Sequence, residues 1–295
     1  MAESKASERA PISVVVPVKN EEANIRNSLD HLQWVDEVFV VDSQSTDKTV
    51  EFAEEYDNVK IVQFHYDGGW PKKGNWAFHS LPHRNEWLMI LGCDEFCSDE
   101  LRKEIEAAIQ NPEVNGYYMR WKFIFLGGWM KHCWSHGWML RLFRKGTGQY
   151  EDLGMRGQGG WDMEVHENIV VEGASRRLGG TLCHQSYDKL ERWIRKQNEF
   201  STWNAIRRMD QLRQPLPSLG SLFSSDALVK RKYLKAFFIR MPFRPIVMFF
   251  WLYVVKLGVL DGKAGFYFCM LRAVHEFNIS AKVFEMRQEG LKKQG

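Results

Sequence analysis

No stretch of this 295-residue chain offers the ~20 apolar residues that a membrane-spanning helix needs; the candidate, Ile246 to Val255, has about ten. Cysteine is scarce. Cys93, Cys97, Cys133, Cys183 and Cys269 form an odd, scattered set with no CxxC pair, which argues against a disulfide framework or a structural zinc site and fits a reducing cytoplasm. Charge of one sign is also lacking: a net charge of +3 leaves no strongly basic footprint for nucleic acid. Met1 to Pro11 is polar and charged without an apolar core, so a disordered tail is expected there rather than a secretory signal or an anchor.

The chain is organised around Leu88-Met89-Ile90-Leu91-Gly92-Cys93-Asp94-Glu95, an apolar run that ends in two carboxylates. An apolar run without polar alternation predicts a strand buried on both faces, hence a sheet covered by helices. Ligands of open α/β sheets bind at the carboxyl ends of the strands, where the oxygen atoms of Asp94 and Glu95 suit a hard divalent cation on a phosphate leaving group. An Asp-Glu pair after a strand is more often a simple turn, so its neighbours decide.

Upstream, Ile12 to Val18 and Glu37 to Asp42 read as strands, each followed by a polar loop and a helical pattern. The first helix runs through Ile25, Leu29 and Leu32; the second is expected to be capped by Ser45 or Thr46 and to reach Tyr56. Val59 to Phe64 is a third strand. Pro71 suits the first turn of a helix through Asn75 and Trp76, and Ser98-Asp99-Glu100 caps an amphipathic helix to Ile109. Strands alternating with helices predict a doubly wound, mostly parallel α/β sheet.

Beyond residue 115 the pattern changes to aromatic strands, Gly116 to Leu126 and Trp138 to Arg144, with Trp121, Trp129, Trp134, Trp138 and Trp161 around them; they serve equally as a sugar-stacking surface or as a core. Val165 to Val171 reads as a strand carrying His166 and Glu167, and Asp188 to Leu212 as a helix. His132, Cys133 and His136 lack a fourth ligand and read as packing or acceptor contacts rather than a metal site. Pro215-Leu216-Pro217 marks a boundary between a domain at 12–215 and a helical region at 216–295. In that region Lys230-Arg231-Lys232, Lys235, Arg240 and Arg244 interleave with Phe237, Phe238 and Phe243, a pattern that suits an anionic membrane surface; a packed helical subdomain or a homo-oligomer contact is the alternative.

Val14-Val15-Val16-Pro17 with Asn20-Glu21-Glu22, then Asp42 to Thr49, then the acidic pair after the buried strand, together resemble the family 2 inverting glycosyltransferases with the GT-A fold, over about residues 12 to 215. Trp70 to Trp76, Val165-His166-Glu167 and Leu257 to Gly262 more closely resemble the branch acting on lipopolysaccharide cores and related cell-surface glycans. The resemblance implies a Rossmann-like sheet, a nucleotide-diphosphate-sugar donor, a divalent cation (manganese or magnesium) and inverting transfer to a glycan or lipid-linked acceptor, peripheral to the inner face of the cell membrane.

By the same resemblance Pro17, Glu21, Asp42, Ser43, Lys73 and Asn75 would line the donor pocket, with Asp94 and Glu95 at the metal. A base must take the proton of the acceptor hydroxyl. Glu167 is the first choice, Glu164 and Asp162 are its rivals, and His166 would assist. Two positions depart from the pattern: Gly92 replaces the first Asp of the DxD motif, and Gly74 replaces the Arg before Asn75. These losses keep open a second reading, a catalytically impaired relative acting as a nucleotide-sugar-binding or membrane scaffold protein. A soluble nucleotidyltransferase ranks last, because no glycine-rich loop with a basic residue follows Val14 to Val18.

Overall fold

Side chains alternate across a strand, so a strand with apolar residues at every position can feed two cores at once. Strand β1 (Ala10–Val18) does this: Ile12, Val14, Val16 and Val18 enter one core and Val15 the other. Strand β2 (Val35–Asp42) divides Val38 and Val40 from Phe39 and Val41 in the same way. Strand β4 (Trp87–Ile90) sends Met89 to the first core and Leu88 and Ile90 to the second. The computed structural model describes residues 9–134, 137–152, 162, 164, 167–185, 189–223 and 226–292.

The chain divides into two compact units, residues 1–124 with 135–186, and residues 125–134 with 187–295. In the first, the sheet order is β3-β2-β1-β4-β8-β6-β11-β5, where β3 is Val59–Gln63, β5 Glu95–Cys97, β6 Gly116–Phe125, β8 Trp138–Arg144 and β11 Ser175–Gln185. The segment β3-β2-β1-β4 is parallel throughout; β8 is antiparallel to β4 and β6, β11 is parallel to β6, and β5 is antiparallel to β11. A short two-residue strand β7 (Gly128–Trp129) follows β6, and β9 (Gly148–Tyr150) pairs antiparallel with β10 (Ile169–Val171).

Helices cover both faces of this sheet. Helices α1 (Ile25–Asp30), α2 (Thr49–Ala53) and α4 (Asp99–Ala108) bury Ile25, Leu29, Ala53, Leu101 and Ile105 in the first core, and α3 (Lys73–Ser80) buries Ala77 and Phe78 in the second. Ser98 caps α4 as expected, its hydroxyl accepting the Leu101 amide at 3.2 Å. At Gly180 of β11 a Cβ would lie 2.5 Å from Leu101 Cα, so α4 and β11 meet backbone to backbone.

Several local expectations shift. Strand β1 starts at Ala10, inside the segment expected to be disordered, because Ala10 N–H donates to Trp34 O. Helix α2 begins only at Thr49, because Ser45 and Thr46 turn back to Asp42 and Asn20 instead of capping it. Helix α3 begins at Lys73, two residues after Pro71, where the side chain of Glu164 meets its first amides. Of the strand expected over 165–171, Ile169–Val171 is extended, while Val165 and His166 lie outside the described residues, as do residues 1–8, His136 and Trp161.

The second unit is helical: α5 (Leu190–Arg213), α6 (Ala227–Arg240), α7 (Arg244–Phe250) and α8 (Gly262–Lys292). Helix α5 packs on α8 through Ala205, Met209, Leu212, Ile279 and Val283, so the Pro215–Pro217 linker lies inside this unit. Phe125, Trp193 and Trp134 each pack edge-on around or beside Phe268. The buried Asp261 carboxylate accepts the amides of His132 and Cys133 and pairs with His132 Nδ1 at 2.7 Å, so these residues serve packing. Among the described residues no single helix is long and apolar enough to cross a membrane; the chain from Arg244 through Val255 meets α8 at a 75° bend.

Candidate active site

Strand β1 lies between β2 and β4, and the chain leaves those two strands in opposite directions across the sheet, which is where an open α/β sheet forms a crevice at its carboxyl edge. The loops after β1 and β2 are laced together there. Asn20, at a positive φ of 55°, accepts the Thr46 amide on its side-chain oxygen at 2.8 Å; Glu21 N–H donates to Thr49 Oγ1 at 2.8 Å, and Lys48 N–H to Glu22 at 3.1 Å. Pro17 sits in β1 beside Val41, and the carboxylate of Glu21 accepts from Asn24 at 2.7 Å. Asp42, wholly buried, accepts the Ser45 amide at 3.0 Å and the Gln63 side chain at 2.9 Å, so it shapes the loop that borders the crevice.

Asp162, Glu164 and Glu167 each meet the start of α3. Lys73 N–H donates to Asp162 O at 2.7 Å, and the Glu164 carboxylate accepts the amides of Gly74 and Asn75 at 2.9 and 3.1 Å, which satisfies donors a helix leaves open at its first turn. Lys73, fully buried, pairs with Asp162 at 2.9 Å and donates to Val18 O at 3.2 Å; the Ser43 hydroxyl also donates to Asp162. Burial pulls the Lys73 amine below its ordinary range, against the opposing charges of Asp162 and Asp42. Burial likewise pushes the Glu164 carboxyl up, outweighing the two amides that favour its ionised form.

Glu167, expected as the base, is closed in an ion pair with Lys72 at 2.7 Å, its side chain 1% exposed. Asn75, expected at the donor, instead clamps the backbone of Tyr150: its amide donates to Tyr150 O at 3.0 Å and its oxygen accepts Tyr150 N–H at 2.7 Å. Both placements have one origin, the docking of Tyr150, Asp162, Glu164 and Glu167 onto the start of α3, which no local pattern reveals. Gly74 belongs to the same contact. A Cβ there would lie 2.6 Å from both Glu164 Oε2 and the Tyr150 ring, so a side chain larger than glycine's has no room unless the carboxylate or the ring shifts.

At the end of β4, Asp94 and Glu95 part company. Glu95, expected as a metal ligand, turns inward, pairing with Arg141 at 2.8 Å and accepting the Gly92 amide at 2.8 Å. Asp94 keeps its side chain 22% exposed, with Oδ2 3.1 Å from His184 Nε2 on β11. Burial opposes the charged form of His184, but the carboxylates of Asp94 and Glu95 more than reverse this and hold its titration above the ordinary value. The imidazole is fixed by Trp121 and Phe123, at centroid distances of 4.4 and 5.4 Å. Gly92 leaves room for this arrangement, since a Cβ there would lie 2.9 Å from Asp94 Oδ1.

Among the described residues no three His, Cys, Asp or Glu side chains converge as a metal cage. One carboxylate beside one imidazole fits a different kind of site, in which phosphate oxygens complete the coordination of the cation. His184 and Lys72 are the residues the sequence did not single out: His184 lies 90 positions from Asp94 and carries no motif of its own. Trp121 meets His184 and Trp138 lies under Arg177 in the first unit, whereas Trp134 packs on Phe268 and Trp129 under Lys131 in the second.

Residues 13–160, half of the chain, match the model of glycosyl transferase family 2. The chain is 26% identical over 290 residues to the lipopolysaccharide core biosynthesis glycosyltransferase LpsC of Rhizobium meliloti, covering 94% of this chain and 93% of that protein. It is 27% identical over 246 residues to an uncharacterized glycosyltransferase of Rickettsia typhi, covering 79% and 78%. Among solved structures, the mannosyltransferase PcManGT from Pyrobaculum calidifontis, in complex with GDP-Man and Mn2+, is similar at a TM-score of 0.45 and 14% identity, covering 94% and 87% of the two chains.

Proposed function

Since this chain belongs to glycosyl transferase family 2, we propose that it moves a sugar from a nucleotide-diphosphate-sugar to a hydroxyl of a cell-surface glycan or lipid-linked acceptor, with inversion at the anomeric carbon. The observation that carries this reading is the carboxyl edge of β1, β2 and β4, where the laced loops after β1 and β2 and the partly exposed Asp94 border the crevice between β1 and β4. The likeness to a lipopolysaccharide core glycosyltransferase supports the acceptor class. The five free thiols support a reducing compartment, the cytoplasm.

Asp94, held by His184, together with the donor's phosphate oxygens would bind manganese or magnesium, which when bound neutralises charge on the departing diphosphate. The loop from Lys19 to Glu22 and the loop from Ser43 to Lys48 would hold the nucleoside. Glu164 is the base: it takes the acceptor's proton as the acceptor oxygen bonds to the anomeric carbon and the nucleoside diphosphate leaves from the opposite face. Its raised proton affinity suits that role better than the closed Lys72–Glu167 pair.

The test is calorimetry and turnover with a panel of nucleotide-sugars in the presence of manganese. Asp94→Asn is expected to weaken metal-dependent binding of a nucleoside diphosphate by at least the ~10–100-fold that loss of a supporting group costs. Glu164→Gln is expected to lower transfer by about 10²–10⁴ with donor binding retained. Unchanged affinity in Asp94→Asn removes Asp94 from the site. Donor binding by a wild-type protein that shows no transfer or hydrolysis favours the binding-protein reading.

A further inference from the structure

Between Asp226 and Asp261 the chain has no acidic residue, whereas it has Lys230, Arg231, Lys232, Lys235, Arg240, Arg244 and Lys256. The same segment leaves large apolar side chains in water: Phe243 is 75% exposed and Leu228 66%, and Ile246, Phe250, Trp251, Val254, Val255 and Leu260 are each more than half exposed. Soluble proteins rarely leave so much contiguous apolar sequence uncovered, and when they do the surface meets a partner or a membrane. Four of the cations, Lys230, Arg231, Lys232 and Lys235, are exposed on α6 together with Leu228, Leu234 and Phe237.

A second observation lies where α6 passes into α7. A pocket of about 420 Å³ is lined by Met241, Phe243, Arg244, Ile246, Phe277 and Ser280, almost entirely apolar except for the arginine. The Arg244 side chain is 6% exposed, and its Nε has no hydrogen-bond partner. Behind it the charge is unbalanced. Among the described residues, Arg208 and Arg244 share the one carboxylate of Glu276, Arg208 at 3.0 Å, while Arg272 rests on the Trp134 ring and donates a long 3.4 Å bond to Gln197. Arg208 Nη1 and Arg272 Nε are also without partners. Buried cations in excess of their carboxylates are costly until an anion joins them.

We propose that residues 227–260 form a docking surface for an anionic phospholipid membrane, with Phe243, Ile246 and the apolar turn at 250–260 in the acyl boundary, the α6 cations among the headgroups, and a lipid phosphate at Arg244. The acidic-free composition selects an anionic lipid over a zwitterionic one, and an apolar pocket with a single cation matches a phosphate that carries acyl chains better than a free anion. The surface is placed on rather than across the bilayer because no single helix among the described residues is long and apolar enough to span it.

Cosedimentation of the full chain with vesicles tests this independently of sugar transfer. Vesicles containing phosphatidylglycerol are expected to bind roughly tenfold or more tightly than phosphatidylcholine alone, and high salt to release the protein. Phe243→Asp, at an exposed position with a positive φ of 56° that Asp tolerates, is expected to lose most of that binding while its circular dichroism stays that of wild type. Arg244→Gln is expected to lose it as well and Arg244→Lys to retain more, which keeps the pocket testable should the Gln variant fold poorly. Equal binding to both vesicle types, wild-type binding by Phe243→Asp, or stabilisation by inorganic phosphate without vesicle binding overturns the proposal. So does a stable dimer in light scattering that buries Phe243.

Discussion

In the first unit the buried carboxylates each meet a partner: Glu167 with Lys72, Asp162 with Lys73, Glu95 with Arg141, Glu164 with two helix amides. In the second, among the described residues, Glu276 alone pairs with Arg208 and Arg244, and Arg272 has an aromatic face instead. The apolar residues differ in the same sense. Strands β1, β2 and β4 bury theirs on both faces, whereas the segment around α6 and α7 leaves its own in water. A region whose charges and apolar groups are internally satisfied holds a geometry; a region with cations and apolar surface left over requires something from outside.

The sharpest way to break that contrast is at the Lys72–Glu167 pair. Removing one partner, in Lys72→Met or Glu167→Leu, is expected to cost about 3–5 kcal/mol in urea unfolding, because the other charge stays buried alone. The double variant is expected to recover much of the loss, which marks the pair as a positioning device for α3 and not a source of turnover. In the second unit, Glu276→Gln keeps an acceptor for Arg208 and Arg244 but removes the one carboxylate that pairs with them among the described residues, at a cost of about 1.5–3 kcal/mol by the same measurement.

The smallest effect concerns acid. Burial works against the ionised form of Glu37, but Lys60, the Ser13 hydroxyl and the Arg84 amide overcome it and hold the carboxyl below its usual 4.5. A depressed carboxyl contributes stability above its unfolded value and loses it as pH falls through the folded one. Wild-type stability is therefore expected to decline below about pH 4.5 more steeply than that of Glu37→Gln, as read by thermal melts across that range.

The parts legible in the sequence are those set by neighbours along the chain. Apolar strands without alternation announced a sheet buried on both faces, and Ser98-Asp99-Glu100 announced the start of α4, because strand burial and helix capping are short-range effects. Asp94 could be found at the end of β4 for the same reason. What stayed hidden was which distant group each carboxylate meets. Glu95 joins Arg141 across β8, Asp94 joins His184 on β11, and Glu164 reaches back 90 positions to the amides of α3. Two adjacent acids were read as one pair because nothing local tells which face of the sheet each will take.

Residues 125–134 are an excursion: the chain leaves the first unit at Phe125, gives the second unit its Phe125, Met130, His132, Cys133 and Trp134, and returns to the first for β8. Their partners, Asp261 and Phe268, are synthesised more than 125 residues later. On the ribosome, then, the sheet can be completed through β11 while this loop still waits, with Cys133 and Trp134 uncovered until α8 emerges. The order of translation thus makes the emergence of Asp261 and α8 the step that covers this loop, and a nascent chain stalled before Asp261 would present a finished sheet with an open apolar loop to chaperones.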